Sequence, residues 1–164
     1  MSGAVLLLAL VTAERLVELW WARRNTRFLL ARGAVEHAPG HYPLIVGFHA
    51  LWLAGLWLLG AGQPVQIGWL AVFLLLQAGR AWVLLTLGQR WTTRILVVPG
   101  ETLVSRGPYR FVSHPNYVVV AGEIAVLPLC LGLPWYALAF SLAHAGVLTI
   151  RLRAEKAALS GLRR

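Results

Sequence analysis

The sequence has few charged residues, a single cysteine and no aspartate. Only 13% of its 164 residues are charged, whereas soluble domains contain about a quarter. Hydrophobic residues make up 59% of the chain, and its mean hydropathy is +0.68. This composition excludes an ordinary soluble domain and predicts an integral membrane protein. Eight tryptophans, many of them near the ends of apolar runs, are typical of an interfacial aromatic belt.

The scarcity of thiols and carboxylates also excludes metal chemistry of the common kinds. Cys130 lies in an apolar run, so the chain has neither a disulfide framework nor a cysteine metal site. There is no His/Glu spacing that repeats on one helix, and no metal site is expected. His49 and His144 also lie in apolar runs, where an isolated histidine more often makes a structural hydrogen bond than it binds a metal.

Five apolar segments are long enough to be membrane-spanning helices, which need about 20 residues or somewhat fewer in a thinned bilayer. The pattern does not alternate as the strands of a barrel would. The sequence therefore predicts one all-α domain over residues 1–164, in which the short link Gly132–Pro134 closes the last two helices into a tight antiparallel hairpin. The five segments are Ser2–Ala22, Pro43–Gly60, Ile67–Gly88, Tyr117–Leu133 and Trp135–Ile150.

Two of the links between these segments, 61–66 and 131–134, contain no lysine or arginine. The basic residues follow the first, third and fifth segments instead. The positive-inside rule then places the N-terminus outside and the C-terminus in the cytoplasm. The net charge of +9 reports this topology, and no nucleic-acid partner is expected. The basic residues that follow these segments are Arg23, Arg24, Arg27, Arg32, Arg90, Arg94, Arg106, Arg110, Arg151, Arg153, Lys156, Arg163 and Arg164.

Polar, aromatic and turn-forming residues are concentrated between Glu101 and Tyr117, which reads E-T-L-V-S-R-G-P-Y-R-F-V-S-H-P-N-Y. The residues before Pro108 and Pro115 are biased away from helix, and Gly107 permits a tight bend. Pro115 is predicted to begin the fourth helix, whose free amides can face a polar or anionic ligand. The alternative, from spacing alone, is an ordinary ordered loop with two interfacial tyrosines.

A second polar cluster, Arg151–Lys156, follows the last apolar segment on the same predicted side of the membrane. Arg151 and Glu155 are four residues apart, so they share one helix face. Such a pair by itself indicates a solvated ion pair worth a few tenths of a kcal/mol. Its position beside the first polar segment makes a ligand-binding pair the alternative, and the two clusters together predict a composite site.

Three carboxylates lie within the apolar segments. Glu14 and Glu18 share one face of the first segment, and Glu123 lies two turns into the fourth. A charge at bilayer depth costs about 2.5–3.5 kcal/mol even on the lenient insertion scale, so these residues are expected to face the bundle interior or a wet cavity. Arg15 or Arg80 can neutralise one of them, or Arg80 can snorkel toward the cytoplasm.

The motifs of the C-terminal half resemble the isoprenylcysteine carboxyl methyltransferase family of integral membrane methyltransferases. They are T-L-V-x-x-G-x-Y (Thr102 to Tyr109), H-P-x-Y (His114 to Tyr117) and, after a helical hairpin, R-x-x-x-E followed by Leu159. The resemblance runs from Gln89 to Leu159. The stretches G-Q-R-W-T-T-R-I-L-V-V-P-G, H-P-N-Y-V-V-V-A-G-E and E-R-L-V-E-L-W-W-A-R-R-N are similar to bacterial members that methylate alkylpyrones and alkylresorcinols.

This resemblance implies a bacterial inner-membrane protein in which residues 89–164 form a cytoplasmic S-adenosylmethionine pocket behind N-terminal helices in residues 1–88. Arg151 matches the arginine that addresses the methyl-accepting group, and Glu155 matches the acidic residue that holds the cofactor. The matching cofactor-binding residues are Glu101, Thr102, Leu103, Val104, Tyr109, His114, Pro115, Asn116, Tyr117 and Glu155.

Three positions depart from the family pattern. Ser113 stands where a basic residue often precedes His-Pro, and Lys156 stands where the family has a second acid. The family's upstream glutamine has no clear counterpart within Arg94–Val98. The loss of the second acid affects the fine geometry of the pocket, whereas the first acid, Glu155, is retained.

The activity that the resemblance implies is O-methylation of a lipophilic acceptor that enters from the bilayer, with a polyketide phenol or enol as the favoured substrate. A carboxylate needs only Arg151 to orient it, whereas a phenol must lose a proton, for which Glu123 and His114 are the candidates. The alternatives are an isoprenylcysteine carboxyl methyltransferase, a phospholipid N-methyltransferase and a non-enzymatic transporter that uses Glu14 as a coupling site. Sterol reductases also share some of the C-terminal pattern.

Overall fold

The computed structural model describes residues 2–160 of the chain, apart from the side chains of His41, Leu159 and Ser160. The predicted helical membrane class is confirmed, and each predicted span coincides with one helix. Arg163 and Arg164, which we grouped with the basic residues after the fifth span, lie outside the described residues. The helices are α1 Gly3–Ala31, α2 Tyr42–Gly60, α3 Ile67–Leu87, α4 Pro115–Cys130 and α5 Pro134–Ser160.

The first and last helices extend well beyond their apolar segments. α1 begins after Ser2, whose hydroxyl accepts a hydrogen bond from the Val5 amide at 3.3 Å, and it ends where Gly33 takes a positive φ of 84°. No proline or glycine interrupts either extension, so the helix continues after the hydrophobicity stops. The pair Arg151 and Glu155 is therefore carried on a rigid helix rather than on a tail.

Three of the described helices are long and apolar enough to cross a membrane: α2, α3 with the following turn (Ile67–Arg90), and α5 over Pro134–Ala158. α4 is apolar but has only 16 residues, or about 24 Å at 1.5 Å per residue, against about 30 Å for the hydrocarbon core. α1 carries Glu14, Arg15 and Glu18 in its apolar part.

Backbone contacts gather the loops at two ends of the helical bundle. The Ser2 hydroxyl donates to the Ala61 carbonyl at 3.0 Å, and the Gln66 amide donates to the Cys130 carbonyl at 2.8 Å. The start of α1, the α2–α3 link and the α4–α5 link therefore lie together. The polar segment and the C-terminal part of α5 lie at the opposite end, as the charge pattern indicates.

The predicted hairpin of α4 and α5 is present. α4 ends at Cys130 and α5 begins at Pro134, with Gly132 at a positive φ of 67° and the Leu133 amide bonded to the Pro128 carbonyl at 2.9 Å. Near this end lies the apolar core, formed by fully buried side chains of α1, α2, α4 and the α4–α5 link. These include Leu8, Leu56, Ile124, Leu127 and Leu131.

The apolar pattern did not predict a small sheet outside the spans. Strand β1, Val35–His37, pairs antiparallel with β2, Ile95–Val97. Three residues are too short a stretch for a detectable alternation. The pairing nevertheless ties the α1–α2 link to the segment that precedes the polar loop, and Glu36 reinforces it by accepting from Arg94 at 2.8 Å.

Candidate functional site

The loop before α4 turns as the sequence predicts. Gly107 has a positive φ of 59° and begins a 3₁₀ turn, Gly107–Arg110. A side chain at this position would place its Cβ 2.5 Å from the Thr86 hydroxyl, so glycine is needed for both space and conformation. Pro115 is the first residue of α4. These turns bring His114 and Tyr117 to the end of the bundle where α5 emerges.

Arg151 and Glu155 of α5 converge on the hydroxyl of Tyr117 from α4. The Arg151 Nε donates to the Tyr117 oxygen at 2.8 Å, and the same hydroxyl donates to Glu155 Oε2 at 2.5 Å. Arg151 also donates through Nη1 to the Thr93 carbonyl at 2.9 Å. The two α5 residues are thus joined through a tyrosine rather than paired on the surface, which supports the composite site over a simple ion pair.

His114 and Tyr109 complete this cluster. The His114 ring stacks on the Tyr117 ring, with centroids 5.2 Å apart and planes 15° from parallel. Its Nδ1 lies 3.8 Å from Glu155 Oε1. Burial and the negative charge of Glu155 raise the pKa of Tyr109 to about 12. Tyr109 therefore keeps its proton at physiological pH and can act as a hydrogen-bond donor.

An apolar cavity of about 310 Å³ adjoins the cluster; we call it the inner cavity. Tyr117 and Arg151 stand at its wall together with Asn116. The Asn116 Oδ1 is buried and accepts no hydrogen bond from the residues that the structure describes. A buried acceptor without a donor is costly, so this oxygen is available to a ligand.

The inner cavity runs deeper into the bundle along one face of α2 and one face of α5. The α2 residues recur at helical spacing from Tyr42 to Leu53, and the α5 residues do so from His144 to Arg151. α1 closes it with Thr12, Arg15, Leu16, Glu18 and Leu19. The walls are thus supplied by helices from both the N-terminal and the C-terminal part of the chain.

The first predicted cofactor strip lies elsewhere. Thr102, Leu103 and Val104 line a second, more polar cavity of about 490 Å³, between the ends of α1 and α3; we call it the outer cavity. The inner and outer cavities share no lining residue among the described ones. The structure therefore separates this strip from the Asn116–Tyr117 pair, although both lie at the same end of the bundle.

Glu101 has partners that the motif did not predict. Its two carboxylate oxygens accept from Arg32 at 2.6 Å and from Arg90 at 2.9 Å. Arg90 also donates to the Thr102 carbonyl at 2.9 Å. Glu101 thus anchors the loop to the ends of α1 and α3, and its predicted contact with a cofactor stays a prediction.

The deep charges form one network that joins α1, α3 and α4. Arg15 donates to Glu18 at 2.9 Å and to Glu123 at 3.0 Å. Arg80 is buried, with 6% of its surface exposed, and it donates to both oxygens of Glu18 and, at 3.0 Å, to Glu123. Both arginines therefore neutralise the carboxylates, and Arg80 does not snorkel. Glu14 lies at the edge, 3.7 Å from Arg15.

This network changes the interpretation of Glu123. One of its oxygens accepts from Arg15 and Gln77, and the other accepts from Arg80. Glu123 does not line the inner cavity. A carboxylate held by two guanidinium groups away from the cavity is poorly placed to take a proton from a substrate, so the geometry gives no support to its predicted catalytic role.

Several cavity residues were missed by motif reasoning. Thr93 supplies a carbonyl to Arg151 and donates its hydroxyl to Tyr42 at 3.2 Å. His49 was noted only as an isolated intramembrane histidine. Tyr42, Ile45 and His49 recur at helical spacing along α2, and this was the one sequence signal that they share a face. The same spacing occurs in any buried helix, so it does not indicate a cavity unless the facing helix is known.

Comparison with known proteins supports the family resemblance that the motifs indicate. The model of the Isoprenylcysteine carboxyl methyltransferase (ICMT) family matches residues 69–161. A Bacillus subtilis (strain 168) protein, Uncharacterized protein YpbQ, is 41% identical over 94% of this chain and 95% of its own. An uncharacterized protein of Haemophilus influenzae is 26% identical over 94% of this chain and 93% of its own.

No solved structure matches the chain. The family match covers more than half of the sequence and includes the polar segment, both helices of the hairpin and the Arg151–Glu155 pair. Together with three helices apolar enough to cross a membrane, it shows that this integral membrane protein belongs to the isoprenylcysteine carboxyl methyltransferase family.

Proposed function

We propose that the protein transfers a methyl group from S-adenosylmethionine to an oxygen of a lipophilic acceptor. The observation that carries this proposal is the convergence of Arg151 and Glu155 on the Tyr117 hydroxyl at the wall of an apolar cavity. A water-soluble cofactor requires a polar cluster on one side, and a lipophilic substrate requires an apolar cavity on the other. Methyltransferases of this family use that cofactor, which supports the assignment.

We propose that all five helices span the membrane. α4 is short, but its hairpin with α5 and the bonds at the Cys130 end hold it across a thinned region. The basic residues gather at the end that carries the polar segment and α5, which favours a cytoplasmic site and an external N-terminus. We place the protein in the inner membrane of a bacterium.

The residues around Tyr117 fit a cationic cofactor. Within the described residues, Glu155 Oε1 has His114 Nδ1 at 3.8 Å as its one ionic neighbour, so it can accept from an ammonium or hydroxyl group. Asn116 offers a second, unpaired acceptor. The stacked rings of His114 and Tyr117 present an aromatic face, which attracts cations. When bound, S-adenosylmethionine supplies an activated methyl group on a sulfonium sulfur.

The family strip Thr102–Val104 does not reach this cluster directly. We propose that it borders the cofactor from the loop side, with Leu103 as the contact, because Leu103 is 71% exposed. Tyr109, held in the 3₁₀ turn and close to the Glu155 charge, connects the strip to the cluster. Pro115 has no amide hydrogen, and the amides of Tyr117 and Val118 donate to the His114 carbonyl at 3.1 and 3.4 Å, so the start of α4 offers a ligand few free amides.

Arg151 is the group that addresses the acceptor. Its Nε and Nη1 are engaged by Tyr117 and Thr93, which fix the guanidinium plane. Among the described residues, nothing accepts from Nη2, so this group is left for the acceptor oxygen. Alignment of that oxygen and removal of water are the main contributions that a protein makes to such a displacement.

The acceptor enters sideways from the bilayer. Leu16 of α1 and Val46 of α2 line the inner cavity and are also exposed on the surface, by 63% and 37%. Exposed apolar residues that continue into a cavity mark an opening toward lipid. A polyketide phenol or enol is the favoured acceptor, and the guanidinium of Arg151 makes an isoprenylcysteine carboxylate the second candidate.

The proposal is tested by ligand-induced stabilisation and by transfer of label. S-adenosylhomocysteine at 100 times its dissociation constant should stabilise the detergent-solubilised protein by about 2.7 kcal/mol, whereas NADPH should not. Labelled S-adenosylmethionine should then methylate an alkylresorcinol, an alkylpyrone or a farnesylated cysteine analogue. Stabilisation by NADPH alone would direct the assignment to a reductase instead.

A further inference from the structure

The inner cavity contains two histidines on facing helices that the proposed methyl transfer does not yet use. His49 of α2 and His144 of α5 both line the cavity. Their ring centroids are 6.1 Å apart and the rings are nearly perpendicular, at 86°. His144 is buried, with 6% of its surface exposed. Two neighbouring imidazoles on the wall of a mainly apolar cavity point to a polar group on whatever occupies it.

The hydrogen bonding of His49 fixes which nitrogen is available. Its Nδ1 lies 2.8 Å from the carbonyl oxygen of Ile45. A carbonyl oxygen can only accept, so Nδ1 carries the hydrogen and the lone pair of the neutral ring is on Nε2. Among the described residues, the Ile45 carbonyl is the one hydrogen-bond partner of the His49 ring, so no group donates to Nε2. His49 is therefore an oriented hydrogen-bond acceptor on the wall of the cavity.

The other groups of the described cavity wall that can take a proton are either held by neighbouring side chains or not fixed in orientation. Glu18 is held on both oxygens by Arg80 and also accepts from Arg15. The Tyr117 hydroxyl bridges Arg151 and Glu155. His144 has no fixed tautomer, because no hydrogen bond among the described residues engages its ring. His49 is thus the one oriented base on the described wall of the cavity.

The position of His49 is compatible with the reacting end of the cavity. It follows Tyr42 by seven residues on α2, and His144 precedes Arg151 by seven on α5, which is about 10 Å along each helix. Helical side chains lean toward the N-terminus of their helix. The bond of His49 Nδ1 to the carbonyl of Ile45, four residues earlier on α2, draws the His49 ring toward the level of Arg151.

The charged groups that act on His49 come from three helices. They are Arg15 of α1, Arg80 of α3 and Arg151 of α5, and His144 faces it from α5. Glu18, the carboxylate on the cavity wall, is bound to Arg15 and Arg80. A hydroxyl placed between Arg151 and His49 would therefore have a guanidinium on one side and an imidazole lone pair on the other.

We propose that His49 Nε2 takes the proton of an un-ionised hydroxyl on the acceptor, which makes His49 a catalytic residue and the substrate a phenol or enol. This inference rests on the proposed methyl transfer. The O–H bond breaks as its proton moves to Nε2, and the oxygen uses its electron pair to form a bond to the methyl carbon. The carbon–sulfur bond breaks, its electron pair stays on sulfur, and the neutral thioether leaves. The imidazolium then returns its proton to water.

The same geometry disfavours a carboxylate acceptor. A carboxylate has no proton to give, so the Nε2 lone pair would face a negative oxygen without a hydrogen between them. A hydroxyl satisfies both neighbours, because it donates to Nε2 and accepts from Arg151. His49 accordingly discriminates between the two acceptor classes that the family resemblance leaves open.

The experiment compares His49→Phe and His49→Gln with wild type on three acceptors. These are an alkylresorcinol, a ring-fluorinated analogue whose phenol ionises at lower pH, and a farnesylated cysteine analogue. A general base contributes about 10²–10⁴-fold, so kcat on the alkylresorcinol should fall at least about 100-fold. The fluorinated analogue ionises without help, so the fall of kcat that the His49 variants show on it should be at least tenfold smaller. His144→Phe is the matched control, with an expected loss below about tenfold.

A binding measurement accompanies the rates. The wild-type protein with S-adenosylhomocysteine should bind the alkylresorcinol more tightly than its methyl ether, and both His49 variants should lose this preference while they keep their affinity for S-adenosylhomocysteine. His49→Gln retains an amide that can donate to Ile45, so it covers the case in which His49→Phe does not fold.

The outcomes are separable. Equal losses on all acceptors, a loss below tenfold on the alkylresorcinol, or a larger loss in His144→Phe would each overturn the role of His49. Methyl transfer by wild type to the cysteine analogue alone would overturn it and leave the methyltransferase proposal standing. If wild type transfers no methyl group at all, the proposed function fails. The binding preference for the alkylresorcinol over its methyl ether then still decides whether His49 binds a hydroxyl.

Discussion

The hydroxyl of Tyr117 donates to the Glu155 carboxylate at 2.5 Å, across the interface of α4 and α5. This bond joins the H-P-x-Y motif to the R-x-x-x-E motif, which are separated by a helical hairpin in the sequence. Arg151, one turn earlier in α5, donates to the same hydroxyl, so Tyr117 holds both α5 side chains. Changes to this cluster should therefore affect cofactor and acceptor binding differently.

Glu155→Ala should weaken the binding of S-adenosylhomocysteine by about tenfold to a hundredfold, since a hydrogen bond to a charged group is worth about 1.5–3 kcal/mol. Calorimetric titration of the detergent-solubilised protein measures this. Lys156→Ala is the matched control, because Lys156 is exposed on the same turn and should leave the affinity unchanged. Equal affinity in a folded Glu155→Ala protein would remove the carboxylate from the cofactor site.

Tyr109 should produce a loss of stability at high pH. Burial raises the pKa of its phenol from 10.0 to about 12, so the folded state favours the protonated form. The stabilisation is complete below pH 10 and is lost as the pH rises from about 10 to 12, because the unfolded chain ionises first. Thermal denaturation of wild type should show this decline, and Tyr109→Phe should show less of it. A decline of the same size in Tyr109→Phe would assign it to other groups.

Glu123→Gln tests the ion network. The substitution leaves Arg80 and Arg15 with fewer acceptors in the bundle interior, and breaking a buried ion pair costs about 3–5 kcal/mol. We expect a large drop in thermal stability, and turnover of the remaining folded enzyme should not recover at higher pH. Glu14→Gln is the control, since Glu14 lies at the edge of the network, and its effect should be small. Recovery of rate with rising pH in Glu123→Gln would restore the role of proton acceptor to Glu123.

Much of this fold follows from its sequence, because apolar runs and proline or glycine breaks are local signals. The hairpin, the start of α4 at Pro115 and the bend at Gly107 were all predictable in that way. The ion network was predictable only in outline, since the sequence shows that Glu18 and Glu123 need partners but does not show that Arg80 serves both. The small sheet and His49 were not predictable, because each depends on a segment more than 40 residues away.

The same limit applies to the site. The motif residues were found, and Tyr117, Arg151 and Glu155 do meet. The family resemblance grouped Glu101 with them, and the sequence did not show that Arg32 and Arg90 hold it at the outer cavity. These partners come from the ends of two other helices, so no local signal in the loop indicates them.

Gly107→Ala should destabilise the loop that carries the cluster. An alanine would have to adopt a φ of 59° at a cost of about 1–2 kcal/mol, and its Cβ would lie 2.5 Å from the Thr86 hydroxyl. Thermal denaturation with and without S-adenosylhomocysteine measures both stability and binding. Gly40→Ala is the control, because nothing lies within 4 Å of the added Cβ. Thr86→Ala removes the clash, so the double variant Gly107→Ala/Thr86→Ala should regain only the stability lost to that clash. Full recovery of the stability would show that the positive φ of alanine at this position costs nothing.

The orientation of the chain is tested by labelling single cysteines from outside intact cells. The buried Cys130 is first replaced by alanine, so that each variant has one thiol. Gly62→Cys lies in the link between α2 and α3, which contains no lysine or arginine, whereas Ser105→Cys lies in the basic loop at the other end of the bundle. We expect a membrane-impermeant maleimide to label Gly62→Cys in intact cells and to label Ser105→Cys only after the cells are permeabilised.

Both positions are exposed, so a difference between them reports their side of the membrane rather than burial. The reverse pattern would place the Tyr117 cluster outside the cell, where S-adenosylmethionine is not supplied, and would defeat the proposed function together with the topology.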